Sequence, residues 1–165
     1  MVALLEVLMA LVLTSPAFRE GAAIPAKHTC DGADTSPQLA WGGAPPGTAA
    51  LALIVDDPDA PAGTWVHWVL YNLPGNLAGL PEGVAKSDQL PQLGGALQGK
   101  NDFRRVGYGG PCPPPGRPHR YFFKLYALDA ALPLRAGATK QEVERAMAGH
   151  VIGEARLMGT YARKR

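Results

Sequence analysis

The sequence predicts a mainly β domain, a sandwich of two sheets with one short helix in its C-terminal half. Three observations predict it: segments rich in β-branched and aromatic residues, 20 Gly and 16 Pro placed between apolar runs without any repeating period, and one stretch bounded by helix caps. Hydrophobic residues make up 47% of the 165 and charged residues 18%, enough apolar material for a core. With 16 Lys+Arg against 14 Asp+Glu, the formal charge of +2 belongs neither to a polyanion nor to a strongly basic nucleic-acid binder.

Met1 to Leu13 is apolar apart from Glu6. A run of that length falls short of the roughly 20 residues a helix needs to cross a bilayer, so no integral membrane association is expected. The run has no basic start, and Glu6 interrupts it, which argues against a signal peptide cut near Ser15-Pro16-Ala17. A cytoplasmic location is therefore expected, with export as the alternative if the segment is a signal peptide. Residues 1–9 read as an N-terminal extension and residues 10–165 as one domain, whose first strand is Ala10 to Leu13.

The strongest strand segments are Ala49 to Val55, Thr64 to Asn72 and Arg120 to Leu128. Trp65 to Tyr71 is apolar on both alternating faces, as in a central strand covered on both sides, and a second sheet would supply that cover. Asn76 to Lys100 reads as a long connection. Thr139-Lys140-Gln141-Glu142 fits a capping box, Val143, Ala146 and Met147 supply an apolar stripe, and Gly149 ends the helix. Glu154 to Tyr161 then returns to a period of two, with Ala155, Leu157 and Tyr161 on one face and Glu154, Arg156 and Thr160 on the other.

Chemistry gathers in three places. Asp56-Asp57-Pro58-Asp59-Ala60-Pro61 sets carboxylates where a strand leaves its sheet. His67 lies inside the apolar central strand, and a desolvated imidazole needs a partner, for which a carboxylate of the preceding strand is the candidate. Gly109 to Pro118 is a stiff loop, because proline fixes φ and removes amide donors. It runs into His119-Arg120-Tyr121, where a period of two puts His119, Tyr121 and Phe123 on one face and Arg120 on the other. Trp41 and Trp65 read as core or loop-covering residues, His28 and His150 as loop residues without a ligating neighbour, and Arg163-Lys164-Arg165 as a solvated terminus too short to argue for nucleic acid. Cys30 and Cys112 match no zinc spacing, and both a single bridge and two thiols are open.

These motifs, together with Thr29-Cys30-Asp31-Gly32, Ser36-Pro37-Gln38-Leu39-Ala40-Trp41, Leu97-Gln98-Gly99 and Gly159-Thr160-Tyr161, make the chain resemble the phosphatidylethanolamine-binding protein family, also called Raf-kinase-inhibitor-like, in its bacterial and archaeal branch. The resemblance covers about residues 9–163. It implies a Greek-key β-sandwich with a small anion pocket at one end. The family's pocket positions fall on Asp57, His67, Pro113, His119 and Tyr121, with Asp59, Pro61, Gly110 and Cys112 on the rim. Both cysteines recur in these motifs in that branch, so a Cys30–Cys112 bridge stands beside two free thiols as an expectation.

Members bind phosphate-like head groups, acetate or cacodylate, and several regulate kinases or proteases. The resemblance implies no shared reaction, no metal and no cofactor. A non-catalytic protein binding a small anionic or zwitterionic ligand is the expected function, with a regulated kinase or protease as a further partner. The alternatives are a metal-dependent hydrolase built on Asp57, Asp59, His67 and His119, against which the chain lacks HExxH and GxSxG, and an interaction module with a residual pocket. Relatives of the bacterial type are often homodimers. The apolar Val2, Leu4, Leu5, Val7 and Leu8 lead to the same expectation here.

Overall fold

The computed structural model describes residues 10–164. The extension expected over residues 1–9, and the dimer argument that rests on it, lie outside them. The described strands are Val12–Thr14 (β1), Leu39–Gly42 (β2), Ala50–Asp57 (β3), Trp65–Pro74 (β4), Gly79–Leu80 (β5), Gln89–Leu90 (β6), Ala96–Gln98 (β7), His119–Leu128 (β8) and Val151–Tyr161 (β9), with one α-helix, Lys140–Met147 (α1). Among these residues no helix is long and apolar enough to cross a membrane. The first strand starts and ends later than the expected Ala10 to Leu13, with Leu11 and Leu13 buried and Val12 between them exposed.

The strands form a three-stranded sheet in the order β1-β2-β5 and a six-stranded sheet in the order β6-β7-β4-β3-β8-β9. β3, β4 and β7 pair antiparallel in succession, and β8 returns to pair with β3, so β8-β3-β4-β7 is a Greek key. Asn76 to Lys100 is not a plain loop: β5, β6, a 3-10 turn at Pro91–Leu93 and β7 lie within it. Strands of two or three residues are too short for alternation to reveal.

Two apolar layers sandwich the large sheet. On one face Leu51, Leu53, Val55, Trp68, Leu70, Phe123 and Leu125 pack with the small sheet's Leu13, Leu39, Trp41 and Leu80. On the other, Ala52, Ile54, Val69, Tyr71 and Leu128 pack with Leu132, Ala138 and the helix residues Val143 and Met147. A second sheet therefore covers β4 on one side only, and the helix with its lead-in covers the other.

The Thr139 hydroxyl oxygen accepts from the Glu142 amide at 3.2 Å, and the hydroxyl itself donates to Glu142 Oε1, also at 3.2 Å. Glu142 thus answers the cap through its side chain rather than through the Thr139 amide expected of a capping box. Thr139→Ala is expected to lower stability by about 1 kcal/mol, a shift of about 2–4 °C in Tm for a chain this size. A thermal melt followed by circular dichroism checks it, and an unchanged Tm would show that the cap carries no stability.

Candidate functional site

The C-terminal end of β3 and the N-terminal ends of β4 and β8 meet at one end of the core between the sheets, with Asp57 paired to Trp65 and Asp56 to Phe122. Alternation along β3 then separates the neighbouring carboxylates. Asp56 turns to the helix side, where Lys124 (3.1 Å) and Lys140 (2.9 Å) both reach it. Asp57 turns to the opposite face and accepts from His119 Nδ1 at 2.7 Å and from the Asp59 amide at 2.7 Å.

His67 reaches the same face through an irregularity. Val55 pairs with Trp68 and Asp56 with Val66, so His67 is an extra residue, a β-bulge. Strict alternation from Trp68 would put His67 on the helix side with Val69. The bulge instead places it beside Tyr121, with ring centroids 5.2 Å apart, on the side that Trp65 also faces.

The result is a pocket of ≈ 180 Å³. Asp57, His67, Pro113, His119 and Tyr121 line it, as do Pro61 and Cys112. Two expected rim residues do not. Asp59 accepts from Arg120 through Nε and Nη2, both at 2.9 Å, and from the Arg120 amide at 3.0 Å, which clamps the 57–61 turn to β8. That hydrogen-bonded guanidinium holds the Asp59 carboxyl down to about 2. Gly110 donates its amide to Asp34 Oδ1 at 2.8 Å, and a Cβ there would run into the His28 carbonyl and the Asp34 carboxylate, so it anchors the wall from behind.

The expected carboxylate partner of His67 is also corrected. His67 Nδ1 donates to the Gly109 carbonyl at 2.6 Å, and the Gly109 amide donates back to the His67 carbonyl at 2.9 Å. Burial pushes the His67 pKa down, which favours the neutral ring. A carbonyl only accepts, so the proton sits on Nδ1 and Nε2 is left as an acceptor. By the same reasoning His119 donates from Nδ1 to Asp57, which fixes the orientation of its ring.

Four lining residues were not foreseen: Ala60, Trp65, Phe103 and Pro114. Phe103 packs edge-on against both Trp65 and His67 at 5.4 Å. Asn101 holds it there by accepting from the Phe103 amide at 2.9 Å, and Asp102 does so by accepting from the Val66 amide at 2.7 Å. A lone aromatic among Lys100, Asn101, Asp102, Arg104 and Arg105 was the available sign. Trp65, expected in the core or under a loop, is half-buried in the pocket wall, against the loop residue Phe103.

Among the described residues three buried side-chain polar atoms lack a hydrogen-bond partner: His28 Nε2, Trp65 Nε1 and the Tyr121 hydroxyl. Two of the three belong to pocket walls. Burial, with Asp57 next in effect, pushes the Tyr121 phenol well up, so it stays a neutral O–H donor. His28, expected in an open loop, is fully buried and donates from Nδ1 to the Thr35 carbonyl at 2.8 Å. The two cysteines are bridged, with Cα atoms 5.4 Å apart. Among the described residues no group of His, Cys, Asp and Glu has the arrangement of a metal site, and this includes the quartet considered for a hydrolase.

A family model described as phosphatidylethanolamine-binding protein matches residues 14–162. A UPF0098 protein of Methanothermobacter thermautotrophicus is 52% identical over 151 residues, covering 92% of this chain and 98% of the relative. The crystal structure of a phosphatidylethanolamine-binding protein homologue from Chlamydia trachomatis superposes with a TM-score of 0.84 at 42% identity, covering 94% of this chain and 99% of the other. Escherichia coli YbcL, described as a member of the mammalian family, gives 0.87 at 35% identity over 94% of this chain and 100% of its own.

Proposed function

The chain belongs to the phosphatidylethanolamine-binding protein family, and from that premise we propose that it is a non-catalytic binding protein whose pocket holds a small phosphate-type or zwitterionic group. One observation carries the reading: two buried donors without a protein partner, Trp65 Nε1–H and Tyr121 O–H, belong to the walls of one pocket beside two imidazoles. Buried polar groups are costly unless paired, and anionic oxygens are the partners such donors suit. At ≈ 180 Å³ the pocket is below the roughly 300–1,000 Å³ of sites for drug-sized ligands, so it fits a head group and not a whole lipid.

The acceptor on neutral His67 refines the ligand. A fully ionised phosphate would set an oxygen lone pair against Nε2, whereas a singly protonated phosphate, or an ammonium group beside it, donates there. A phosphate without an ammonium group then takes up a proton on binding wherever the free ligand is doubly ionised. Affinity for inorganic phosphate is therefore expected to fall as pH rises, by at most about tenfold per unit up to pH ~8, while phosphoethanolamine, whose ammonium group can donate to Nε2, escapes that requirement. Titration calorimetry with inorganic phosphate and phosphoethanolamine tests this. No heat from either compound would sink the pocket reading, and a pH-independent affinity for inorganic phosphate would remove the proton requirement.

A further inference from the structure

We infer that the Cys30–Cys112 bridge is a thiol–disulfide exchange site that controls the pocket, its reduction by a dithiol releasing one wall of the cavity. The inference rests on the pocket reading above and concerns how that pocket is held closed.

The wall is the segment 111–118, of which Cys112, Pro113 and Pro114 face the cavity. Pro111, Pro113, Pro114, Pro115 and Pro118 have no amide hydrogen. Outside the strand ladders, the segment takes part in one backbone hydrogen bond among the described residues, from the Cys30 amide to the Pro111 carbonyl at 3.1 Å. Firm anchors lie only at its ends. On one side Gly109 and Gly110 are held by His67 and Asp34, and on the other His119 is held by Asp57. Between them the disulfide is the one covalent tie, reaching across 82 positions to the Cys30 loop. Gly116, at φ 138, supplies a swivel that other residues rarely adopt. Without the bridge, the wall keeps a single hydrogen bond and the packing of the buried Pro111 and Pro113.

The bridge is also placed to react. Cys30 is exposed and Cys112 half-buried, and exposed bridges are the ones that exchange readily. A thiolate of the dithiol attacks the Cys30 sulfur. Cys112 leaves as a thiolate and takes a proton from solvent. The second thiol of the reductant then attacks its own sulfur in the mixed disulfide and releases Cys30. The reductant is oxidised by two electrons to its disulfide and the protein gains two thiols. The chain has no third cysteine to divert the exchange.

The test compares the oxidised chain with the chain held reduced in dithiothreitol. Acrylamide quenching of Trp65 fluorescence is read against Trp65→Phe, to subtract the buried Trp41 and Trp68, and phosphate binding is measured by calorimetry. Reduction is expected to raise quenching of Trp65 and leave the other two tryptophans unchanged. Phosphate affinity should fall about tenfold, the loss when only about one molecule in ten keeps the wall closed.

Unchanged Trp65 quenching in reduced, folded protein overturns the gate, and phosphate binding of equal strength in both forms would then leave the pocket reading intact. Raised quenching in a chain whose oxidised form binds no phosphate upholds the gate and removes the ligand. Loss of far-UV circular dichroism on reduction makes the bridge a staple of the whole fold and overturns the gate. A Cys30→Ser/Cys112→Ser chain provides the same comparison without reductant, and oxidised-like quenching in it also overturns the proposal.

Discussion

Trp68→Ala is expected to lower the free energy of unfolding by about 4 kcal/mol, within the range for truncating a buried aromatic, and Tm by about 8–16 °C for a chain of this length. Trp68 is fully buried in the layer between the sheets and meets Tyr108 edge-on at 5.4 Å. Its indole also donates to Gln98 Oε1 at 2.7 Å, while Gln98 Nε2 donates to the carbonyls of Ala85 (2.7 Å) and Ser87 (2.8 Å). Removing the indole thus opens a cavity and leaves a buried amide oxygen unpaired. Trp68→Phe, which removes the donor and part of the indole's volume but keeps an aromatic ring, should cost about 1–3 kcal/mol of that total. Urea titrations of both variants check the partition. Equal losses would assign the whole cost to the Gln98 bond, and a Trp68→Phe chain as stable as the native one would show that the Gln98 network contributes nothing beyond packing.

That network also explains what was legible in the sequence and what was not. Trp68, Leu70 and Phe123 declare the core because apolar residues on alternating positions have few other places to go, and the helix declares itself through Thr139 and Val143. The site is harder to read, because it depends on pairing between distant segments. Nothing local in Trp65 to Trp68 marks the extra residue that swings His67 toward Tyr121, since the bulge is set by the offset against Val55 and Asp56. Nor does Asp56-Asp57-Pro58-Asp59 show that its carboxylates part company, Asp56 to two lysines, Asp57 to His119 and Asp59 to Arg120. Gln98 looks like an ordinary polar residue of a short strand until Trp68 is placed against it. Pocket positions were carried by the family resemblance. Trp65 escaped because an aromatic side chain buries a large area wherever it lies, and Phe103 because its place against Trp65 and His67 depends on the fold.

Tyr121→Phe is expected to weaken binding of inorganic phosphate by about 10–100-fold while leaving the free energy of unfolding unchanged or slightly raised. Ordinarily the loss of a buried hydroxyl costs stability, because its partner is left unpaired. The Tyr121 hydroxyl has no protein partner and its ring is 1% exposed, so deleting the oxygen orphans nothing and relieves a buried polar atom. Phenylalanine keeps the edge-on contact with His67 at 5.2 Å, which leaves the cavity walls in place. What disappears is a donor to an anionic oxygen, a bond of about 1.5–3 kcal/mol when one partner is charged. Tyr108→Phe is the matched control. That hydroxyl donates to the His28 carbonyl at 2.6 Å, so its loss should cost about 1–3 kcal/mol of stability and leave phosphate affinity unchanged. Calorimetry and chemical denaturation of the two variants side by side give four numbers. If Tyr121→Phe destabilises the chain as Tyr108→Phe does and phosphate binds it undiminished, the hydroxyl is structural and the pocket loses its principal donor.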